Sequence, residues 1–271
     1  MIVSGSIEDV RKIRKQERDL TWGFVPTMGY LHDGHLSLAR QARAENDRLA
    51  VSIYVNPTQF APGEDLDSYP RALDRDLELL EAEGVDLVFT PTDITMYPPG
   101  FQTYVTVTEV SKLLEGASRP THFQGVTTVV AKLFNIIQPT RAYFGQKDAQ
   151  QAVVLKQMVR DLNFDIDMVI CPIVREEDGL AQSSRNKYLT NEQRAGANVL
   201  NRALLAAQAA FQSGEQNGTK LRQIMENMIA QEPLAKIDYV SVADPFTLVE
   251  LDKIEGEALL SICLLYTSPS P

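Results

Sequence analysis

The sequence predicts an α/β protein whose first two-thirds builds a parallel sheet covered by helices on both faces. Three observations carry this. Short β-rich runs alternate with segments of helical periodicity from Phe24 to Val174, the pattern of consecutive βαβ units. Turn residues punctuate the runs at their ends, as in Asn56-Pro57, Gly84, Pro91 and Pro139. The 271 residues are 44% hydrophobic and 23% charged, ordinary for a chain that fills one large domain or two modest ones with a real core.

The elements follow in order. Residues 24–26 end a short strand. Residues 36–46 form a helix with Leu36, Ala39 and Ala42 on one face. Residues 49–55 (LAVSIYV) form a β-rich strand that runs into Asn56-Pro57. Residues 71–83 form a helix with Leu73, Leu77 and Leu80 on one face, stopped by Gly84, and residues 86–90 a strand ended by Pro91. A very apolar helix spans 127–137. A short buried strand at 142–144 precedes a helix over 148–162, whose leading Asp148 suits the helix dipole. A strand spans 164–174. The style then changes, which predicts a domain 1–174 and a smaller one 175–271. In the second, Thr190 caps a long Ala-rich helix over 190–212 that Gly214 stops. A further helix covers 219–231, and strands cover 237–243 and 258–265. The tail Thr267-Ser268-Pro269-Ser270-Pro271 is set aside from the fold.

Charge and composition narrow the function. Lys plus Arg number 26 and Asp plus Glu 36, a formal net charge of −10. Nucleic-acid binders and polybasic membrane surfaces carry the opposite footprint. A small anionic ligand remains possible, because local donors can focus a field against the global sign. Two cysteines, Cys171 and Cys263, make neither a disulfide framework nor a zinc spacing, which suits a reducing cytosol. The first twenty residues have no apolar leader core, and no run is long enough to span a bilayer.

Ligands of open α/β sheets bind beyond the carboxyl ends of the strands, and the candidate chemistry lies there. In PTMGYLHDGH (26–35), His32 and His35 flank Gly34, and His35 falls in the first turn of the next helix. Unpaired N–H groups and the dipole favour an anion at such an end, and two imidazoles beside it suit phosphate. The bland alternative is a turn with two solvated histidines. Gly29 and Gly34 have Walker-A spacing, but His35 and Leu36 stand where Lys and Ser/Thr belong, and both the dinucleotide G-x-G-x-x-G and the hydrolase G-x-S-x-G are absent. Neither cysteine has a sequence-adjacent His. In YVNPTQF (54–60), Asn56 and Gln59 offer amide donors and acceptors for a small polar substrate, or simply make an Asn-Pro turn with a surface Gln. In YFGQKDAQQ (143–151), Lys147 sits at a helix start against the dipole preference, which points to a phosphate partner. In QSSRNKYL (182–189), hydroxyls and Arg185 can clamp phosphate, or form an ordinary polar loop. Arg119 and His122 precede the apolar helix.

Taken together and in order, P-T-M-G-x-L-H-x-G-H, V-N-P-x-Q-F, Y-P-R, R-P-x-H-F-x-G-V, F-G-x-K-D-x-Q-Q and S-S-R-N-x-Y-L resemble the pantothenate synthetase (pantoate–β-alanine ligase) family, from about residue 20 to about 190 and more weakly to about 262. H-x-G-H alone would only indicate the wider nucleotidyltransferase superfamily. The resemblance implies a Rossmann-like N-terminal domain, a small C-terminal lid domain and a cytoplasmic homodimer. It implies ATP-dependent condensation of (R)-pantoate with β-alanine through a pantoyl adenylate, with Mg²⁺, giving pantothenate, AMP and pyrophosphate. Carried onto this chain, ATP binding falls on Met28, Gly29, Tyr30, Leu31, His32, Asp33, Gly34 and His35, on Gly145, Gln146, Lys147 and Asp148, on Val174, and on Gln182, Ser183, Ser184 and Arg185. His35, His32, Lys147, Ser183, Ser184 and Arg185 would do the catalytic work, with His35 as proton donor. Gln59, Gln151 and Asn56 would hold substrate. The family usually carries Met where Gln182 stands, and a basic, polar segment where this chain departs from about Cys263 onward. The competing readings are another adenylate- or cytidylate-forming member of the superfamily and a catalytically inactive nucleotide binder; the charge of −10 counts against tRNA as a substrate.

Overall fold

The computed structural model describes residues 1–266, and the set-aside tail lies outside them. Its contacts divide the chain into two compact units, one of residues Met1–Val107 with Thr121–Val174, the other of Thr108–Pro120 with residues from Arg175 onward.

The first unit alternates strands and helices: β1 (Ile2–Ser4), α1 (Ile7–Gln16), β2 (Trp22–Thr27), α2 (Asp33–Glu45), β3 (Arg48–Ile53), α3 (Leu73–Ala82), β4 (Leu87–Phe89), α4 (Asp93–Met96), then α6 (His122–Ile137), β5 (Arg141–Gly145), α7 (Ala149–Asp161) and β6 (Asp167–Cys171), with α5 (Glu115–Ser118) falling in the other unit. Six strands pair in the order β1-β4-β3-β2-β5-β6, all parallel. The α/β class expected from the sequence is the observed one.

Alternation along each strand divides the core in two, because successive side chains leave opposite faces. Trp22, Phe24, Ala50, Leu87, Phe89, Ala142 and Phe144 pack on one face against α1, α6 and α7. Val25, Leu49, Val51, Val88 and Tyr143 pack on the other against α2 and α3. The chain turns outward from β2 through β3 to β4, then returns to lay β5 on the free side of β2. The strand order therefore reverses between β2 and β5. In open α/β sheets that reversal opens the crevice where ligands bind.

The expected helix at 190–212 is two: α8 (Asn191–Gly196) and α9 (Val199–Gln212). Thr190 does cap the first, in a reciprocal box with Gln193. The break falls where Gly196 and Asn198, both poor helix formers, come close together. A Cβ on Gly196 would also lie 2.7 Å from the Glu232 carboxyl carbon. With α10 (Gly218–Ile229), β7 (Ala235–Ala243) and β8 (Leu259–Tyr266), these helices bury Val199, Ala203, Ala207, Leu221, Met225, Ile229 and Val242 in the second unit's own core. β7 and β8 pair antiparallel. Among the described residues, no helix is long and apolar enough to cross a membrane.

Candidate active site

Three neighbouring strands, β3, β2 and β5, deliver the sequence-nominated loops of the first unit from their carboxyl ends. The loop after β2 is built tightly. The Thr27 hydroxyl donates to the Ser52 carbonyl and accepts from the Gly29 N–H. Gly29 (φ +82°) and Tyr30 (φ +51°) both take the left-handed conformation, which for Tyr30 carries a Cβ penalty. His32 then caps α2. Its Nδ1 accepts from the Gly34 N–H at 3.1 Å, while its own N–H donates to His35 Nδ1 at 3.4 Å. The two rings lie 4.0 Å apart, tilted by 41°.

That reciprocal cap decides the tautomers. Each Nδ1 accepts a backbone proton, so each neutral ring carries its hydrogen on Nε2. Burial, then the neighbouring His32, pushes His35 down to about 3. Burial and the Lys147 ammonium also lower His32. The imidazoles are therefore neutral near pH 7 and offer N–H donors rather than charge. Lys147 lies in the 3-10 turn Gln146–Asp148 between β5 and α7, exposed, its Nζ donating to Asp148 at 2.7 Å. Its ammonium and the Arg75 guanidinium both oppose a charge on His32, while Asp33 and Asp148 favour one. Gln151 is half-buried at the start of α7, and Val174 is half-buried beyond β6.

After β3, the 3-10 turn Pro57–Gln59 carries the second loop. Asn56 is 1% exposed. Its Nδ2 donates to Gln59 Oε1 (3.1 Å) and the Gly125 carbonyl (3.2 Å); its Oδ1 accepts from the Tyr97 and Thr58 hydroxyls (2.8 and 3.0 Å). These bonds occupy the whole amide, so the side chain holds Gln59 rather than presenting itself to solvent. Gln59 Nε2 donates to Met28 Sδ at 3.0 Å, which ties this loop to the one after β2. His122, expected just before the apolar helix, is its first residue; its Nδ1 donates to the Gln59 carbonyl at 2.9 Å.

The comparisons with known proteins agree with one another. A family model described as pantoate-beta-alanine ligase matches residues 2–268. The chain belongs to the pantoate–β-alanine ligase family. It is 60% identical over 267 residues to the pantothenate synthetase of Chloroflexus aggregans, covering 98% of this chain and 96% of that one. Among solved structures it is similar to pantothenate synthetase from Thermus thermophilus, with a TM-score of 0.94 at 46% identity, covering 98% of this chain and 95% of that one. A pantoate–β-alanine ligase from Francisella tularensis, complexed with β,γ-ATP and β-alanine, gives a TM-score of 0.77 at 34% identity, with 97% of each chain covered. The chain is thus a ligase, and the family's reaction is the ATP-dependent joining of pantoate to β-alanine.

In the second unit, the ligase's Ser-rich segment is a built turn. Ser183 caps the 3-10 helix Ser184–Tyr188, its Oγ accepting from the Arg185 N–H at 3.2 Å. Ser184 is buried, Gln182 half-buried and Arg185 exposed. Asn186 Nδ2 donates to the Ala181 carbonyl at 3.0 Å, and Arg194 pairs with both Glu176 and Asp178. No thiol competes for a nucleophilic role, since burial pushes Cys171 up to about 11 and Cys263 up to about 12.

Sequence reasoning missed Tyr97, which braces Asn56, and Asp76, which is 0% exposed in α3 and accepts from the Tyr30 and Leu31 N–H groups. A signal for Asp76 existed. It falls three residues after Leu73 and four before Leu80, so a carboxylate interrupts the apolar stripe of its helix.

Proposed function

We propose that the loops after β2, β3 and β5 form the nucleotide and pantoate site of this ligase. The observation that carries the reading is the grouping of two Nε2–H imidazoles and the Lys147 ammonium at the ends of β2 and β5, where the strand order reverses. Attack by the pantoate carboxylate on the α-phosphorus of ATP brings two anions together and builds charge on the departing pyrophosphate. Positioning and electrostatic stabilisation do most of such work. In this reading His32 and His35 donate Nε2–H bonds to phosphate oxygens, and Lys147 supplies the positive charge. Because the His32 N–H occupies Nδ1 of His35, that ring keeps its single proton and serves as an Nε2–H hydrogen-bond donor to the charge building on the leaving pyrophosphate. Gln59, held by Asn56, and Gln151 orient pantoate, while Met28–Asp33, Gly145–Asp148 and Val174 line the nucleotide. The amine of β-alanine then attacks the mixed anhydride and AMP leaves, so no side-chain nucleophile is required.

Ser183, Ser184 and Arg185 clamp phosphate in this proposal, as the family resemblance implies, with the backbone at Gln182 replacing the usual Met contact. Among the described residues, no three His, Cys, Asp or Glu side chains gather into a metal cage. The exposed Asp148 carboxylate, beside Lys147, would be the one to meet a Mg²⁺ carried in on the phosphates, where the metal would neutralise phosphate charge. The working form is a cytoplasmic homodimer.

Pantoate-dependent exchange of labelled pyrophosphate into ATP, without β-alanine, tests the reading. Exchange is expected for the native chain. Lys147→Ala and His35→Ala should each lose at least about a hundredfold, the usual loss for one preorganised donor. Native exchange in both variants, or exchange driven by a different acid, overturns the assignment.

A further inference from the structure

We propose that Asp76 is a positioning residue that sets the conformation of the Met28–Leu31 loop and so places His32 and His35. The inference rests on the proposed role of those histidines. The loop needs an external restraint, because it holds two consecutive left-handed residues, Gly29 and Tyr30, and the second has a side chain. Asp76 supplies that restraint from α3. Its Oδ2 accepts from the Tyr30 N–H at 2.6 Å and its Oδ1 from the Leu31 N–H at 2.8 Å. One carboxylate thus caps two successive backbone donors, in the manner of a helix cap supplied from a different element. Burying a carboxylate is costly unless it is bonded in this way, and Asp76 is 0% exposed.

Its neighbour grips the other side. Arg75 Nη1 donates to the Leu31 carbonyl at 3.0 Å, its guanidinium lies 5.6 Å from the centre of the Tyr30 ring, and it stands 3.6 Å from Asp76. The loop has little room to adopt another course. A Cβ on Gly29 would sit 3.1 Å from Asp76 Oδ2 and 3.0 Å from Ile53 Cγ2. The next residue after this clamp is His32, whose backbone N–H and Nδ1 both take part in the cap of α2. A shift at Tyr30 and Leu31 is therefore passed directly to both imidazoles. Asp76 touches no reacting atom in this account. It acts through the backbone.

Asp76→Asn is nearly isosteric but replaces one acceptor oxygen with an NH₂ group, which cannot accept from an N–H. Its effect on pyrophosphate exchange is measured in the native background and again with His35→Ala. A misplacement of about 1 Å costs on the order of a hundredfold, so a loss of at least about tenfold is expected in the native background. With His35 already gone, the further loss should be clearly smaller than in the native background, because only the placement of His32 is left to lose. Equal factors in both backgrounds, or no loss in the native one, overturn the inference. His35→Ala exchanging at the native rate sinks the histidine assignment instead, so the two failures are distinct. Should Asp76→Asn not fold, amide hydrogen exchange of the unaltered enzyme decides. The Tyr30 and Leu31 amides should be protected as well as those of β2, and exchange at the rate of an open loop refutes the clamp.

Discussion

Gly125 lies in α6 directly beneath the turn that carries Gln59, and Gly125→Ala should damage pantoate handling more than it damages the fold. A Cβ at this position would lie 2.3 Å from the Thr58 carbonyl oxygen, 2.5 Å from its carbon and 2.6 Å from the Gln59 nitrogen. All three are backbone atoms, so no side chain can rotate away. Comfortable contacts between heavy atoms need about 3.5 Å, and the turn must therefore retreat by roughly 1 Å. Two bonds resist that movement: Asn56 Nδ2 to the Gly125 carbonyl at 3.2 Å and His122 Nδ1 to the Gln59 carbonyl at 2.9 Å. Overpacking of this kind costs about 1–3 kcal/mol of stability, which a chain of this size survives. A retreat of the same size at a substrate-orienting group costs on the order of a hundredfold in rate. Steady-state release of AMP at varied pantoate should show kcat/KM lower by about ten- to a hundredfold. Urea denaturation should show the modest loss of stability. Native kcat/KM with an unmoved denaturation midpoint would refute the close packing of α6 against the turn, and with it the role given to Gln59.

The neutral, half-buried His35 makes stability sensitive to acid. Its folded pKa, about 3, lies below the unfolded value of about 6.5, so its stabilising contribution is complete above pH 6.5 and is lost as pH falls toward 3. His35→Gln should remove this dependence, and between pH 6.5 and 4.5 the native chain should lose up to about 3 kcal/mol more than the variant in urea titrations; parallel losses would contradict it. Ser52 is 0% exposed in β3 and its hydroxyl has no hydrogen-bond partner, so Ser52→Ala should be neutral or stabilise by up to about 1 kcal/mol, whereas a clear loss of melting temperature would reveal an unseen partner. Leu221, 0% exposed in the second unit's core, should cost about 2–5 kcal/mol on Leu221→Ala, read as a lowered urea midpoint; a cost below about 1 kcal/mol would argue against that core.

Periodicity made the central sheet readable, because β2 to β6 and the helices between them are long or apolar enough to show a repeat. The three-residue strand β1 and the polar helix α1 left no comparable trace, although Ser6 caps α1 by accepting from the Asp9 N–H and Ile7, Val10 and Ile13 recur on one face. The joining of residues 108–120 to the second unit is a long-range contact that no local pattern records. The split between α8 and α9 was masked by the Ala-rich run after it, which continues the helical signal across Gly196 and Asn198.

The site divides along the same physical line. His32, His35, Lys147 and Gln59 stand at strand ends beside turn residues, where a polar side chain is out of place for a core and conspicuous in sequence. Asp76 and Tyr97 act by bonding to other loops, 46 residues from Tyr30 and 41 from Asn56 respectively. Their partners are brought near only by the sheet, so Tyr97 looks locally like an ordinary aromatic just past a helix end, and Asp76 shows only as a charge set in an apolar stripe. Asn56 shows how the two classes mix. Its motif flagged it as a substrate ligand, yet its four hydrogen bonds all go to protein. In the proposed site a motif therefore marks residues on which the geometry depends, and the filled amide of Asn56 gives it the part of holding Gln59.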